Sequence, residues 1–168
     1  MDRERVLLTG GSGSMGFTAF EELWQRRERF DIVLLLRPSA KNVALFQPYL
    51  EGRRVEGPGT AHYHDGSLKI VWGDAVNYED IRAACDGVDA VLNPMAFIAP
   101  AADHDPATAE AVNTVAVQSL VQAIRAEPDG AERIRLVHVG SVAQYGDRLP
   151  PCHMIRTGDP MQPSVFDF

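Results

Sequence analysis

Cysteine is nearly absent from this 168-residue chain, Cys85 and Cys152 being the only two. Two isolated thiols build neither a disulfide framework nor a zinc spacing, and they read as the reduced thiols of a cytoplasmic protein. Positive charge is also scarce. Lys and Arg number 16 against 23 Asp and Glu, a formal net charge of −7. Without a basic face a nucleic-acid partner is not expected. Long apolar runs are missing too: nothing approaches the ~20 residues that cross a bilayer, so no membrane role is expected. No secretory leader is expected either, because Asp2–Arg5 is charged and only Val6-Leu7-Leu8 follows as an apolar run. Internal repeats, coiled-coil heptads and low-complexity tracts do not occur. What is present is 45% hydrophobic residues over the length of one domain, 1–168.

The apolar residues come in two alternating rhythms. Arg5–Thr9, Asp31–Leu36, Leu68–Trp72, Val88–Leu92 and Ile134–Val139 read as short strands. The run Ile32-Val33-Leu34-Leu35-Leu36 is apolar at consecutive positions, as in a parallel strand covered on both faces. Between the strands lie helical spacings. Met15–Arg27 carries Phe17, Phe20, Leu23 and Trp24 on one stripe. Shorter helices are predicted over Asn42–Leu50 and Tyr78–Cys85, the latter with Ile81, Ala84 and Cys85 inward. A long one should run from Pro106 to about Ala126, with Val112, Val115, Ala116, Leu120, Ala123 and Ile124 buried. Glu51–Gly66 reads as loop, and the chain beyond Ser141 as mostly loop. Strands alternating with helices predict an α/β fold, a doubly wound parallel sheet of order 3-2-1-4-5 in three α/β/α layers.

The first strand runs directly into Thr9-Gly10-Gly11-Ser12-Gly13-Ser14-Met15-Gly16. A chain that leaves a strand and enters a helix at once needs a positive φ, which glycine adopts freely. A diphosphate must approach the backbone at Gly13, and Gly16 lets the helix pack on the sheet. The free N–H groups of the helix start then face the phosphates. With a strand before, an amphipathic helix after and a second strand about 20 residues on, this is a Rossmann-type dinucleotide turn. The second strand ends at Leu36-Arg37 without the acidic residue that holds a ribose 2′-hydroxyl. Arg37 suits a 2′-phosphate, and Ser39 and Lys41 could assist. NADP(H) is therefore favoured over NAD(H).

Thr9-Gly10-x-x-Gly13-x-x-Gly16 resembles the fingerprint of extended short-chain dehydrogenases/reductases, the NAD(P)-dependent epimerase/dehydratase group. Further segments resemble it along the whole chain. Gly73-Asp74-Ala75 resembles the family's adenine-binding loop, Val91–Ala96 its V-x-H-x-A-A segment, and Asn113 an Asn of the next helix. The resemblance implies cofactor contacts at Gly10, Gly13, Ser14, Met15, Gly16, Asp74, Ala75, Pro94, Met95, Ala96 and Asn113, beside Arg37 and Lys41. Val137–Gly146 resembles the family's strand ending in Ser-Ser-x-x-x-Tyr-Gly, which places Ser141 on the catalytic Ser/Thr. Asn93-Pro94-Met95 and Gly140 depart from the usual residues.

The family's Tyr-x-x-x-Lys, whose tyrosine is its general acid/base, has no counterpart after Ser141; Tyr145 belongs to the Tyr-Gly turn and no Lys follows it. The resemblance therefore implies a small-molecule oxidoreductase or epimerase, truncated and catalytically incomplete over these 168 residues. A non-catalytic dinucleotide sensor or regulator is the alternative. The fifth strand is expected to be an exposed edge, which favours a homo-oligomer. Other polar clusters read more plainly. His62, His64 and Asp65 read as a solvated loop with no further metal ligands, Asp103-His104-Asp105 as the cap of the helix at Pro106, and His138, within the fifth strand, as a satisfied core or edge residue.

Overall fold

The computed structural model describes residues 3–50, 55–57, 59–146 and 154–161. Its parallel strands are β1 (Glu4–Leu8), β2 (Phe30–Leu36), β5 (Leu68–Trp72), β6 (Ala90–Asn93) and β7 (Arg135–His138). Between them run α1 (Ser14–Gln25), α2 (Ala40–Phe46), α3 (Tyr78–Cys85), the short α4 (Ala101–His104) and α5 (Pro106–Glu110), then α6 (Ala116–Ala126) and α7 (Gly130–Arg133). Successive strand residues point to opposite faces, so each apolar run fills two cores. Leu7, Val33, Leu35, Val71 and Val91 meet α3 and α6 on one face. Leu8, Ile32, Leu34, Leu36 and Ile70 meet Phe20 of α1 and Phe46 of α2 on the other. The result is the expected three-layer doubly wound sheet.

The parallel strands stand in the order β5-β2-β1-β6-β7, the expected 3-2-1-4-5. The sheet is nevertheless wider than expected. Two antiparallel strands, β3 (Val55–Gly57) and β4 (Thr60–Tyr63), extend it beyond β5. They lie in the stretch that reads as loop. The physical reason is a short period-two pattern. Ala61 and Tyr63 are buried while Thr60 and His62 are partly exposed, and β4 pairs with β5 from Thr60↔Val71 to Tyr63↔Leu68.

The helix expected from Pro106 to Ala126 spans that range, with a π-helical turn at Ala111–Val115 inside it. The wider turn rotates the following residues relative to an ideal α-helix. Val115, expected in the core, is thereby 44% exposed, and Val112 is half-buried, whereas Ala116, Leu120, Ala123 and Ile124 are buried as expected. The second helix starts at Ala40 rather than Asn42 because Ser39 Oγ accepts from Asn42 N at 3.1 Å. Asp105 caps α5 as expected, accepting from Thr108 N and Thr108 Oγ1. The Thr108 hydroxyl, then its N–H, holds the Asp105 carboxyl below the usual carboxylate range. The cap's contribution is thus present at neutral pH and lost as pH falls through that lowered value.

β7 ends the sheet, and all its residues are exposed. Among the described residues no helix is long and apolar enough to cross a membrane. Cys85, the last residue of α3, is fully buried, and burial, then Glu127, pushes its thiol up to about 12. Cys85 is expected to resist alkylation in the native protein at pH 8 and to react once denatured, as mass spectrometry of labelled peptides would report.

Candidate cofactor site

The glycine turn leaves β1 with Gly10 at φ +61°, a conformation suited to glycine. A Cβ at Gly10 would sit 2.9 Å from Met95 Cα, so the turn lies directly against the exit of β6. A Cβ at Gly16 would overlap the Gly10 carbonyl and lie 3.0 Å from Gly11 Cα. Gly16 is therefore what allows α1 to begin on top of the turn. Gly13 is different. It is exposed, and a Cβ there would meet only Gly10 O, at 3.3 Å. Gly13 N donates to Gly10 O and caps α1 without a side-chain hydrogen bond, and no acid occupies the first turn. The helix start at Ser14, Met15 and Gly16 thus presents N–H groups with no carboxylate competing for them. This is a cradle that side chains would fill, and it fits a diphosphate.

The other expected residues flank the same carboxyl edge. Arg37, just beyond β2, and Lys41, in the first turn of α2, are both exposed. The Arg37 carbonyl accepts from Ser39 N and Asn42 Nδ2, which fixes the backbone from which its side chain extends. Beyond β5, Gly73 packs so closely on Asp80 that a Cβ would lie 2.6 Å from Asp80 Cβ. Asp80 Oδ2 also accepts from Asp74 N at 2.8 Å, and Asp74 Oδ1 from Val76 N at 3.1 Å. Sequence reasoning misses Asp80. Its only signal is its place three residues after Asn77, which caps α3.

Pro94, Met95 and Ala96 leave β6 toward the glycine turn. Asn113, in the π-helical turn, spends its amide on this segment: Phe97 N donates to Oδ1 at 2.8 Å and Nδ2 donates to Phe97 O at 2.9 Å. Its visible work is to hold the 94–97 segment. Beyond β7, Ser141 is exposed and its Oγ accepts from Ala143 N at 3.1 Å, and an accepting hydroxyl still carries a proton to donate. The expected residues thus sit at the carboxyl ends of five adjacent strands, where open α/β sheets bind ligands.

The His62 and Lys69 pair lies toward the amino ends, far from this edge. Burial lowers both, for His62 with added repulsion from Lys69 and Arg5. Trp24 of α1 and Trp72 of β5 are partly buried and pack against the core on the α1 face of the sheet, as expected.

Residues 6–164 match the model of the NAD-dependent epimerase/dehydratase family. The chain belongs to that family. Solved structures agree on the fold. The Bordetella bronchiseptica enzyme WbmH in complex with NAD+ is 20% identical with a TM-score of 0.68, over 98% of this chain and 48% of that one. The dTDP-glucose 4,6-dehydratase of Bacillus anthracis, in complex with NAD, is 20% identical with a TM-score of 0.64, over 96% of this chain and 44% of that one. Uronate dehydrogenase from Agrobacterium tumefaciens is 18% identical with a TM-score of 0.61, over 97% of this chain and 50% of that one. This chain spans about half the length of each. No curated protein matches it in sequence.

Proposed function

We propose that this chain binds a nicotinamide dinucleotide across the carboxyl edge of its sheet, as the cofactor-binding portion of an oxidoreductase or epimerase acting on a small molecule. The glycine cradle under an uncapped helix start carries this reading. Gly10, Gly13 and the N–H groups of Ser14, Met15 and Gly16 would hold the diphosphate. Asp74 and Ala75 would flank the adenine, and Pro94, Met95 and Ala96 the nicotinamide ribose, with Asn113 holding that segment in place. When bound, the nicotinamide supplies hydride transfer. Ser141 would donate its hydroxyl proton to a substrate oxygen.

The exposed Arg37 and Lys41, at a strand end without an acidic residue, favour NADP(H) over NAD(H). Calorimetric titration should give clear binding of NADPH in preference to NADH. Arg37→Ala should weaken NADPH by roughly tenfold, one charge-assisted hydrogen bond, and leave NADH unchanged. Equal affinities for the two, unmoved by the substitution, would remove the phosphate role from Arg37. Binding of neither would overturn the reading as a whole.

We propose further that the protein acts in the cytoplasm and without a nucleic-acid partner. The exposed apolar Leu136, Val137 and Val139 at the β7 edge favour self-association. Light scattering should show oligomers that grow with concentration, and a strict monomer at high concentration would count against them.

A further inference from the structure

One polar chain crosses the carboxyl ends of three neighbouring strands. Thr9 Oγ1 donates to Asn93 Oδ1 at 2.5 Å, and Asn93 Nδ2 meets His138 Nδ1 at 3.0 Å. Thr9 and Asn93 are buried, while His138 is exposed. With the Thr9 proton on Oδ1, Asn93 turns its amide N–H toward His138, so Nδ1 is the acceptor and a neutral ring carries its proton on Nε2. Backbone bonds run the same way, from Thr9 N to Leu92 O and from Val139 N to Asn93 O. Thr9 precedes Gly10, and Gly10 is wedged against Met95, two residues beyond Asn93. A change at His138 therefore reaches the glycine turn through two buried side chains.

We propose that His138 is a positioning residue whose charge sets the geometry of the glycine turn and thereby the affinity for dinucleotide. Protonation puts a second donor against Asn93 Nδ2. The amide must then let go or turn over. If it turns over, Oδ1 accepts from His138 and the Thr9 hydroxyl must accept from Nδ2 instead, which leaves its own buried proton without that acceptor. A buried polar group left unmade is expensive, so turning over loosens Thr9 and the turn behind it, while letting go removes the bond that holds the Asn93 amide in place for Thr9. Ala90–Asn93 of β6 carries no charged group, nor does Ala116–Leu120 of α6, which covers this face of the sheet. The ion pairs Arg135–Glu4 and Arg133–Asp89 stand at the opposite, amino ends of the strands. Tyr145 lies in the turn that follows β7.

The coupling stands on the chain's own bonds, while its effect on affinity rests on the proposed dinucleotide site. The test has an arm for each. Nitrogen-15 spectra of the free wild-type protein should show the neutral His138 ring unprotonated at Nδ1. The backbone amides of Gly10, Gly11 and Gly13 should then shift with the same midpoint as His138 itself. NAD+ serves as the binding probe because it lacks the 2′-phosphate, which titrates in the same range. Its affinity should fall about tenfold between the state in which those spectra show His138 neutral and the state in which they show it charged. His138→Gln, with an acceptor but no charge, should bind like wild type near pH 8 and lose less than about threefold in acid. Glycine amides indifferent to His138 titration, or an unchanged acid response in H138Q, would overturn the proposal. Amides that follow His138 in a protein that binds no dinucleotide would uphold the coupling and sink the cofactor reading instead.

Discussion

Gly16→Ala should damage both fold and binding, whereas Gly13→Ala should damage binding alone. A methyl at Gly16 overlaps the Gly10 carbonyl and presses on Gly11 Cα, both backbone atoms with little room to give. Forcing atoms into such a contact costs about 1–3 kcal/mol. For a domain of this size that lowers Tm by roughly 2–12 °C. The relief available is to lift the start of α1 off the turn, which carries the helix N–H groups away from the diphosphate. Affinity for NADPH should then fall by at least about tenfold, one increment of ~1.4 kcal/mol. At Gly13 the backbone is extended, with φ −81° and ψ 166°, which alanine adopts without strain, and the site is open to solvent. Its methyl would press lightly on Gly10 O, at 3.3 Å, and otherwise stand where the ligand is proposed to pass. Thermal melts should leave G13A within about 2 °C of wild type, while calorimetry shows weakened binding. Wild-type affinity in G13A would mean that the diphosphate does not cross Gly13.

The difference between these two glycines is only partly legible in the sequence. Spacing alone places both between a strand and a helix. The parallel strands are readable because a strand covered on both faces is apolar at consecutive positions, as Ile32–Leu36 is. The elements that escape such a reading each have a physical reason. β4 is four residues long, and its period-two alternation is too short to stand out beside Gly57, Pro58 and Gly59. The π-helical turn at Ala111–Val115 widens a helix without altering its composition, so the expectation for Val115 fails while those for Ala116 and Leu120 hold. Within the site, residue positions are legible and bonding is not. Resemblance places Asn113, but its two bonds to the Phe97 backbone depend on how the helix folds over the β6 exit. His138 reads from the sequence as a satisfied strand residue. Its partner, Asn93, is 45 residues away and becomes a neighbour only through the pairing of β6 with β7.

Phe20→Ala should be the most destabilising single change in the cofactor-binding half of the sheet, yet it should spare affinity. Phe20 is completely buried. Its ring meets Phe46 edge-on at 5.0 Å and Tyr49 at 4.7 Å, and it contacts Phe17 and Trp24, each at 6.0 Å. Truncating such a ring costs about 3–5 kcal/mol, a large part of the roughly 5–15 kcal/mol that holds a domain together. Tm should fall by roughly 6–20 °C. The aromatic layer binds the middle of α1 to α2 and the turn behind it, whereas the helix start is set by Gly16 against Gly10. NADPH should therefore bind F20A within about threefold of wild type, a difference under ~1 kcal/mol. At a hundred times its Kd it should restore about 2.7 kcal/mol by mass action. A melt with saturating NADPH should then recover a large share of the lost Tm. If F20A instead gains nothing from dinucleotide, the aromatic layer and not the glycine contact orients the helix start, and the separation between the stability and binding roles of α1 fails.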